Sequence, residues 1–201
     1  MLFPAFAFTC LPAGRLGLKQ TAMIQHLESE RLYMRPFKIS DAADLFAMDN
    51  NPKVHEYLWQ QPTLELEESV KIIEYILGQY ERNQIGRFAT FLKETDEFIG
   101  WTGIKFIDDH VENGNSNFYD YGYRLAEAHW GKGYATEATG KWLEYGFQEM
   151  NIPIIHAYAH RENGASNRIL QKTGFLHQET YPDPAGVLWN WYALNNPTSK
   201  Q

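Results

Sequence analysis

The sequence predicts a single α+β domain built on a mixed β-sheet, with helices on both faces of the sheet. Three consecutive segments rich in aromatic and β-branched residues are joined by polar connections, which is typical of an antiparallel meander. A strand, a helix and another strand then occupy residues 118–159, and this order requires a parallel pair with a right-handed crossover. We therefore expect a largely antiparallel sheet that contains one parallel β-α-β unit.

The strands are predicted from period-two alternation and from their enrichment in β-preferring residues. Alternation over residues 31–35 indicates the first strand, which Pro36 closes. The polar run 93–97 predicts one hairpin, and the run 182–186, with two prolines and a glycine, predicts another. The predicted strands cover residues 27–37, 87–92, 98–106, 118–125, 154–159, 175–181 and 187–194.

Four helices are predicted from capping residues and from apolar spacing. Ser40 is expected to cap the first helix and Thr63 the second, in which apolar residues spaced three or four apart over 70–80 form one stripe. Gly174 suits the position just after the last helix. The first, third and fourth predicted helices cover residues 40–48, 136–150 and 164–173.

Composition and charge limit the partners of this chain. A length of 201 residues is enough for one domain with a sizeable core. The net charge of −7 argues against a nucleic-acid partner held through its phosphates, and it suits a cationic partner such as an amine or a basic peptide. Cys10 is the only cysteine, which excludes an internal disulfide framework and predicts a reducing, cytoplasmic location. Beyond the first two dozen positions no apolar run reaches about 18 residues, so no membrane span is expected.

The first 22 residues are treated apart from the fold. They are apolar and carry Pro4 and Pro12, but they lack the positively charged start of a secretory signal. We expect either a disordered extension or an upstream start codon, with Met23 as the true first residue. The predicted organisation is an extension over 1–22, one domain over 23–196 and a tail over 197–201.

A glycine-bearing loop between a strand and a helix is the strongest local signal. Gly131-Lys132-Gly133 follows the predicted strand 118–125, and a helix begins shortly after it. Unpaired N–H groups and the helix dipole make such a position an anion site, while glycine lets the backbone approach the ligand. An ordinary strand-to-helix turn is the alternative. The nucleotide P-loop is excluded because Gly133 stands where its Ser or Thr belongs, and Thr136 breaks the G-x-G-x-x-G dinucleotide pattern.

Two sequence blocks resemble a known family. WGKGYA at 130–135, here called the glycine loop, resembles the Q/R-x-x-G-x-G/A loop of the GNAT acyl-CoA-dependent N-acetyltransferases. GYRL at 122–125 with WGKGYATEA at 130–138 is similar to the branch of ribosomal-protein N-terminal alanine and serine acetyltransferases. NGASNRILQKTGF at 163–175 is similar to that branch's N-x-x-S-x-x-x-x-x-K-x-G-F signature. Trp130 departs from the Q/R of the general family, so backbone donors would have to carry the phosphate contact.

The resemblance, which spans about residues 27–194, implies the GNAT fold and an acetyl-CoA-dependent transfer to a primary amine. A peptide or protein N-terminal α-amine is one acceptor; a small-molecule amine such as an antibiotic or polyamine is another, and a non-catalytic acyl-CoA sensor is the rival reading. Acetyl-CoA would lie between strands 118–125 and 154–159, which diverge in this family. The expected cofactor-binding residues are Tyr123, Arg124, Leu125, Gly131, Lys132, Gly133, Tyr134, Ala135, Thr136 and Asn163.

The resemblance also nominates catalytic residues, each with a plain structural alternative. Ser166 matches a serine placed near the thiol, or it is only a small polar residue in the first turn of a helix. Asp120 stands where a carboxylate often serves as the base, or it is only a strand residue. Glu162 and Tyr181 are further candidates for the base, and proton loss relayed through water would need no single base. A backbone N–H near residues 125–126 would be the oxyanion donor.

The remaining features are weighed against ordinary packing. On a strand His156 and His160 would lie roughly 13 Å apart, too far for one metal ion, so no metal is expected. The aromatic runs 57–59 and 189–192 either wall an acceptor pocket or belong to the core. The oligomeric state stays open, and a homodimer is one state that the sequence allows.

Overall fold

A single eight-stranded sheet forms the centre of the protein. The computed structural model describes residues 24–58 and 61–197. Within them every pair of neighbouring strands is antiparallel except β5 and β6, which confirms the predicted mixed sheet with one parallel pair. The strands, in the spatial order β1-β2-β3-β4-β5-β6-β8-β7, are β1 (Leu27–Glu28), β2 (Leu32–Pro36), β3 (Arg87–Leu92), β4 (Phe98–Ile107), β5 (Phe118–Leu125), β6 (Ile154–His160), β7 (Leu176–Pro182) and β8 (Leu188–Asn195).

The predicted first strand is divided into two. β1 and β2 form a small hairpin in which Leu27 pairs with Met34. The chain reverses at Ser29, whose N–H donates to the Leu32 carbonyl at 2.9 Å. The predicted extension over 1–22 lies outside the described residues, as do residues 198–201 of the predicted tail.

The helices occupy the predicted regions, but two predicted caps are wrong. Ser40 lies inside a 3₁₀ turn, Ile39–Asp41, that precedes the first helix. Thr63 lies before Glu65, the N-cap of the second helix, and its carbonyl accepts from the Asn50 side chain at 2.9 Å. Thr63 therefore lies in the segment between the two helices, where Asn50 holds it in place, and it does not cap a helix. The helices are α1 (Ala42–Asp49), α2 (Leu66–Asn83), α3 (Tyr134–Glu144), which ends in a π turn (Tyr145–Glu149), and α4 (Gly164–Lys172).

Alternating side chains of β5 show that helices cover both faces of the sheet. The Tyr121 hydroxyl hydrogen-bonds to Thr139 of α3 at 2.9 Å, so α3 covers the face to which the odd-numbered residues point. Arg124 points the other way and donates to Asp49 of α1 at 2.9 Å. Because α2 packs on α1, we call these two surfaces the α3/α4 face and the α1/α2 face.

A second, smaller core lies beside the last hairpin. It gathers Tyr181, Trp189 and Trp191 around Phe118, and all four side chains are buried. The two tryptophans of the 189–192 aromatic run thus belong to the core. None of the described helices has the length and apolar character needed to cross a membrane.

Candidate functional site

A gap opens between β5 and β6 toward their carboxyl ends. The two strands pair only at Tyr119 with Ile155 and at Asp120 with His156. β5 continues to Leu125 and β6 to His160 without further pairing between them. The second halves of both strands therefore border a wedge-shaped cleft.

Backbone polar groups of β5 face this cleft. The Ala126 N–H donates to the Ile99 carbonyl on β4 at 2.9 Å. Since hydrogen-bonded positions alternate in an antiparallel pair, even-numbered residues of β5 bond to β4 and the odd-numbered Tyr123 and Leu125 direct their backbone groups toward β6. Buried backbone groups need partners, and the amides of an extended ligand would supply them. Ala126 is thereby engaged within the sheet, and the Leu125 N–H is the one of the two candidates for the oxyanion donor that faces the cleft.

The glycine loop lies at the start of α3. Gly131 and Gly133 have φ angles of +73° and +85°, in the left-handed region that favours glycine. Apart from the adjacent residues, no atom of the described part of the chain comes within 4 Å of the place where a Gly131 side chain would begin, so the backbone there is open to a ligand. The helix begins at Tyr134, and the N–H groups of its first turn are available to an anion.

The Trp130 side chain does not supply the phosphate contact that Gln or Arg would make at this position in the general family. Its indole N–H donates to the Leu125 carbonyl at 2.7 Å, which ties the loop to the end of β5. Lys132 is exposed, and its carbonyl accepts from Arg31 at 3.1 Å. The Trp130 indole is thus engaged within the protein, while the backbone N–H groups of the loop and the exposed Lys132 side chain remain accessible to an anion.

An ion pair from the N-terminal hairpin supports the loop, and sequence reasoning missed it. The Arg31 guanidinium and backbone N–H both donate to the Glu137 carboxylate at 2.7 Å, and the Ser29 hydroxyl donates to it at the same distance. The guanidinium also lies 4.6 Å from the centre of the Tyr134 ring. We call Ser29, Arg31 and Glu137 the loop brace. The available signal was the acidic residue in the first turn of α3, which the helix dipole favours.

The loop brace also determines the charge state of Glu137 beside the glycine loop. Burial would raise the pKa of Glu137, but hydrogen bonds from Arg31 and Ser29 lower it below the ordinary value. The carboxylate is therefore ionised at neutral pH, and Arg31 balances a negative charge that would otherwise repel a phosphate.

Ser166, Tyr123 and Asn163 meet at the start of α4. The Asn163 side-chain oxygen accepts from the Ser166 N–H at 3.0 Å and caps the helix. The Tyr123 hydroxyl donates to Ser166 Oγ at 3.1 Å. Burial raises the pKa of Tyr123 to about 12, so this hydroxyl stays protonated and remains a donor. The arrangement places a hydrogen-bonded serine next to the strand that borders the cleft.

Asp120 occupies a buried ion pair. The residue is 2% exposed, and the Arg87 guanidinium donates to the carboxylate and, at 2.8 Å, to the Asp120 carbonyl. A Cβ on Gly122 would lie 2.7 Å from the Arg87 guanidinium, so the glycine makes room for it. A glycine in the middle of a strand signals such a close approach and was the clue available in the sequence.

Arg124 places its side chain on the opposite face from the glycine loop. The guanidinium donates to the Asp49 carboxylate at 2.9 Å and lies 5.4 Å from the centre of the Trp101 ring. It lines a cavity of about 430 Å³ on the α1/α2 face. The other described lining residues are His55, Gln61, Thr63 and Ile72.

The other candidate residues have structural surroundings. The Tyr181 hydroxyl donates to Glu112 at 2.5 Å from within the smaller core, and Glu162 is exposed just after β6. The His156 ring lies 5.1 Å from that of Trp191, and the His160 ring lies 5.5 Å from that of Tyr57, so both histidines are packed among aromatic rings. No group of three metal-ligating side chains occurs among residues 24–58 and 61–197.

Comparison with known proteins identifies the family. A family model described as the acetyltransferase (GNAT) domain matches residues 31–176. The chain is 35% identical over 152 residues to the uncharacterized N-acetyltransferase p20 of Bacillus licheniformis, covering 76% of this chain and 83% of that protein.

Solved structures share the fold. The ribosomal-protein-S5-alanine acetyltransferase from Vibrio fischeri matches with a TM-score of 0.69 and 19% identity, over 88% of this chain and 99% of that one. The ribosomal L7/L12 α-N-protein acetyltransferase RimL, solved with coenzyme A, matches with a TM-score of 0.71 and 15% identity, over 87% and 99%. With the family model covering more than half of the sequence, this chain belongs to the GNAT family of N-acetyltransferases.

Proposed function

We propose that this enzyme transfers an acetyl group from acetyl-CoA to a primary amine, and that a peptide or protein N-terminal α-amine is an acceptor. The observation that carries the proposal is the cleft between β5 and β6, which opens beside the glycine loop. The same edge of the sheet therefore offers an anion site and a row of backbone groups suited to the amides of the pantetheine arm.

Each part of the site has a role in this proposal. Acetyl-CoA supplies the activated acetyl group; the loop N–H groups from Gly131 to Thr136 hold its pyrophosphate. The backbone of Tyr123 contacts the pantetheine arm, and the Leu125 N–H faces the oxygen on which negative charge develops. Asn163 contributes through the helix start that it caps.

Ser166 acts in this proposal as the acid for the departing thiolate. Its Oγ accepts a hydrogen bond from Tyr123, so its own proton is free to point toward the cleft. As Ser166 gives that proton to the departing sulfur, the Tyr123 hydroxyl stabilises the charge that develops on Oγ, and a water molecule at the mouth of the cleft returns a proton to Oγ. Asp120 is already held by Arg87, and we therefore assign the loss of the ammonium proton to water at the mouth of the cleft rather than to that carboxylate.

A small-molecule amine is the second candidate acceptor. The cavity of about 430 Å³ beside Arg124 falls within the size range of small-ligand pockets. A peptide N-terminus and a free small amine would both reach the cleft from this side.

Two measurements test the proposal in sequence. We expect CoA at about a hundredfold over its Kd to stabilise the protein by roughly 2.7 kcal/mol, seen as a rise in Tm. Acetyl transfer is then followed as thiol release from acetyl-CoA with a panel of N-terminal peptides, small amines and polyamines. Absence of any stabilisation by CoA contradicts the proposal, whereas stabilisation without transfer to any acceptor supports an acyl-CoA sensor.

The loop brace should matter for CoA affinity. Arg31→Leu removes the charge that balances Glu137 and the contact to the Lys132 carbonyl, so we expect a rise in the Kd for CoA of about tenfold. Because Arg31 is about half exposed, the expected loss of unfolding free energy is only about 1 kcal/mol. Titration calorimetry with CoA and thermal unfolding measure the two effects.

A matched control separates the brace from simple charge. Lys132→Leu removes one positive charge from the same loop without touching Glu137, and it should change the Kd by less than Arg31→Leu does. Equal effects would mean that net charge alone is responsible. The pKa of Glu137 is lowered, so its contribution to stability is present above pH 4.5, the ordinary value, and is lost as the pH falls through the lower folded value. Arg31→Leu should reduce that pH dependence without abolishing it, because the backbone N–H of residue 31 and the Ser29 hydroxyl still donate to the carboxylate.

A further inference from the structure

The side of the sheet from which the acceptor approaches follows from the face that the donor site occupies. The glycine loop leads into α3, and Ser166 starts α4, so both lie on the α3/α4 face. An amine must approach the acetyl carbon from the side that the donor leaves open, which is the α1/α2 face. Arg124 stands between the two cleft-facing residues Tyr123 and Leu125, and its side chain points to that face. This step rests on the proposed function.

The cavity on that face carries unused hydrogen-bonding groups. Arg124 has several N–H donors, and one of them donates to Asp49 Oδ2. His55 is 7% exposed and Asp49 is 1% exposed, yet His55 Nε2 and Asp49 Oδ1 have no hydrogen-bond partner in the described part of the chain. These two atoms are 3.8 Å apart. Both atoms are shielded from the cavity and face each other, so the group that a ligand can reach there is the Arg124 guanidinium, whose side chain is 19% exposed.

The guanidinium is already oriented for a ligand. Asp49 fixes one edge of Arg124, and the Trp101 ring lies over it, so little side-chain freedom is lost on binding. Burial, together with the charge of Arg124, lowers the pKa of His55, which is therefore neutral at physiological pH. The Arg124–Asp49 pair has no net charge, and its remaining N–H groups offer a planar set of donors suited to sp² oxygens.

We propose that Arg124 makes this enzyme selective for amines that carry an sp² oxygen, a carboxylate or an amide carbonyl, close to the amino group. A second cationic group in the cavity would meet the Arg124 guanidinium and gain no carboxylate, because Asp49 is buried behind it. Amino acids and peptide N-termini are therefore favoured acceptors, and polyamines are disfavoured.

The experiment compares acceptors that differ only in this group. The first set is alanine, alaninamide, isopropylamine and 1,2-diaminopropane. In the second set, which is β-alanine, its amide, propylamine and 1,3-diaminopropane, one more carbon separates the amino group from the group that varies. Wild type should show a higher kcat/KM for the oxygen-bearing amines, and Arg124→Met should reduce that preference by about tenfold or more. The kcat/KM for the two alkylamines, which carry no sp² oxygen, should fall much less than the kcat/KM for the oxygen-bearing amines. The preference is the ratio of kcat/KM values for two amines, and this ratio is compared between wild type and variant. Differences in amine basicity are the same for both enzymes and therefore cancel.

A second variant guards against misfolding. Arg124→Met leaves the buried Asp49 carboxylate without its counter-charge, so the double variant Arg124→Met with Asp49→Asn is measured in parallel. A normal Tm rise with CoA shows that a variant is folded. If transfer proceeds and either folded variant keeps the wild-type preference, the assignment of Arg124 is overturned while the proposed function stands.

A binding readout tests the assignment without turnover. With CoA present, N-acetylalanine should raise the Tm of wild type more than N-isopropylacetamide does, and the difference should vanish in the double variant. If no amine is acetylated but this difference appears, the proposed function fails and the Arg124 site stands. Equal shifts for both products in wild type overturn the site.

Discussion

Asp120→Ala should destabilise the protein by about 3–5 kcal/mol, because it would leave the Arg87 guanidinium buried without its counter-charge. Arg87 is 8% exposed and lies in the middle of the sheet, where its N–H groups serve the Asp120 carboxylate, the Asp120 carbonyl and the Gly103 carbonyl. Chemical denaturation measures the loss. A change below about 1 kcal/mol would show that the pair is not needed for the fold.

The same pair tests whether Asp120 takes part in chemistry. The double variant Arg87→Met with Asp120→Leu removes both charges, and it should recover much of the stability because no unpaired charge remains. If Asp120 only holds Arg87, the recovered variant keeps its kcat per folded molecule within about tenfold. A general base would instead leave a defect of roughly 10²–10⁴ that stability cannot repair. Asp120→Asn, which keeps the shape and removes the charge, provides the intermediate case.

Ser166→Ala should lower kcat by roughly 10²–10³, since the departing thiolate would lose its acid. The KM for acetyl-CoA and the Tm rise with CoA should change little, because the contact that caps α4 uses the Ser166 backbone N–H, not its hydroxyl. Steady-state kinetics with separate kcat and KM values check this. A defect carried mainly by KM would indicate that Ser166 only binds the donor.

Two variants calibrate this result. Tyr123→Phe removes the donor to Ser166 Oγ and should cost about tenfold in kcat, the scale of one hydrogen bond. Thr173→Ala deletes a hydroxyl near the other end of α4, where it contacts the Ile169 carbonyl, and it should leave kcat unchanged. Similar losses for Thr173→Ala and Ser166→Ala would point to the helix as a whole instead of the serine.

Much of the fold could be predicted from local sequence patterns. The predicted strand 118–125 coincides with β5, and the predicted last helix ends one residue beyond α4. Alternation and spacing depend only on neighbouring residues, which is why they can be read without the structure. The predicted caps at Ser40 and Thr63 are wrong because the starts of the helices depend on tertiary contacts, such as the hydrogen bond from the Asn50 side chain to the Thr63 carbonyl.

What the sequence alone determined is the glycine loop, the β5–α3–β6 crossover and the family, because these depend on short-range spacing and on residues with a restricted backbone, such as Gly131 at φ +73°. Only the tertiary structure decided which side chains meet: Arg31 with Glu137 across 106 positions, and Arg124 with Asp49 across 75. Contacts at such separation depend on strand register, and a shift of one residue moves a side chain to the other face of the sheet. The fold therefore places the Arg124 side chain on the α1/α2 face and the Tyr123 side chain beside Ser166, although the two residues are adjacent in the chain.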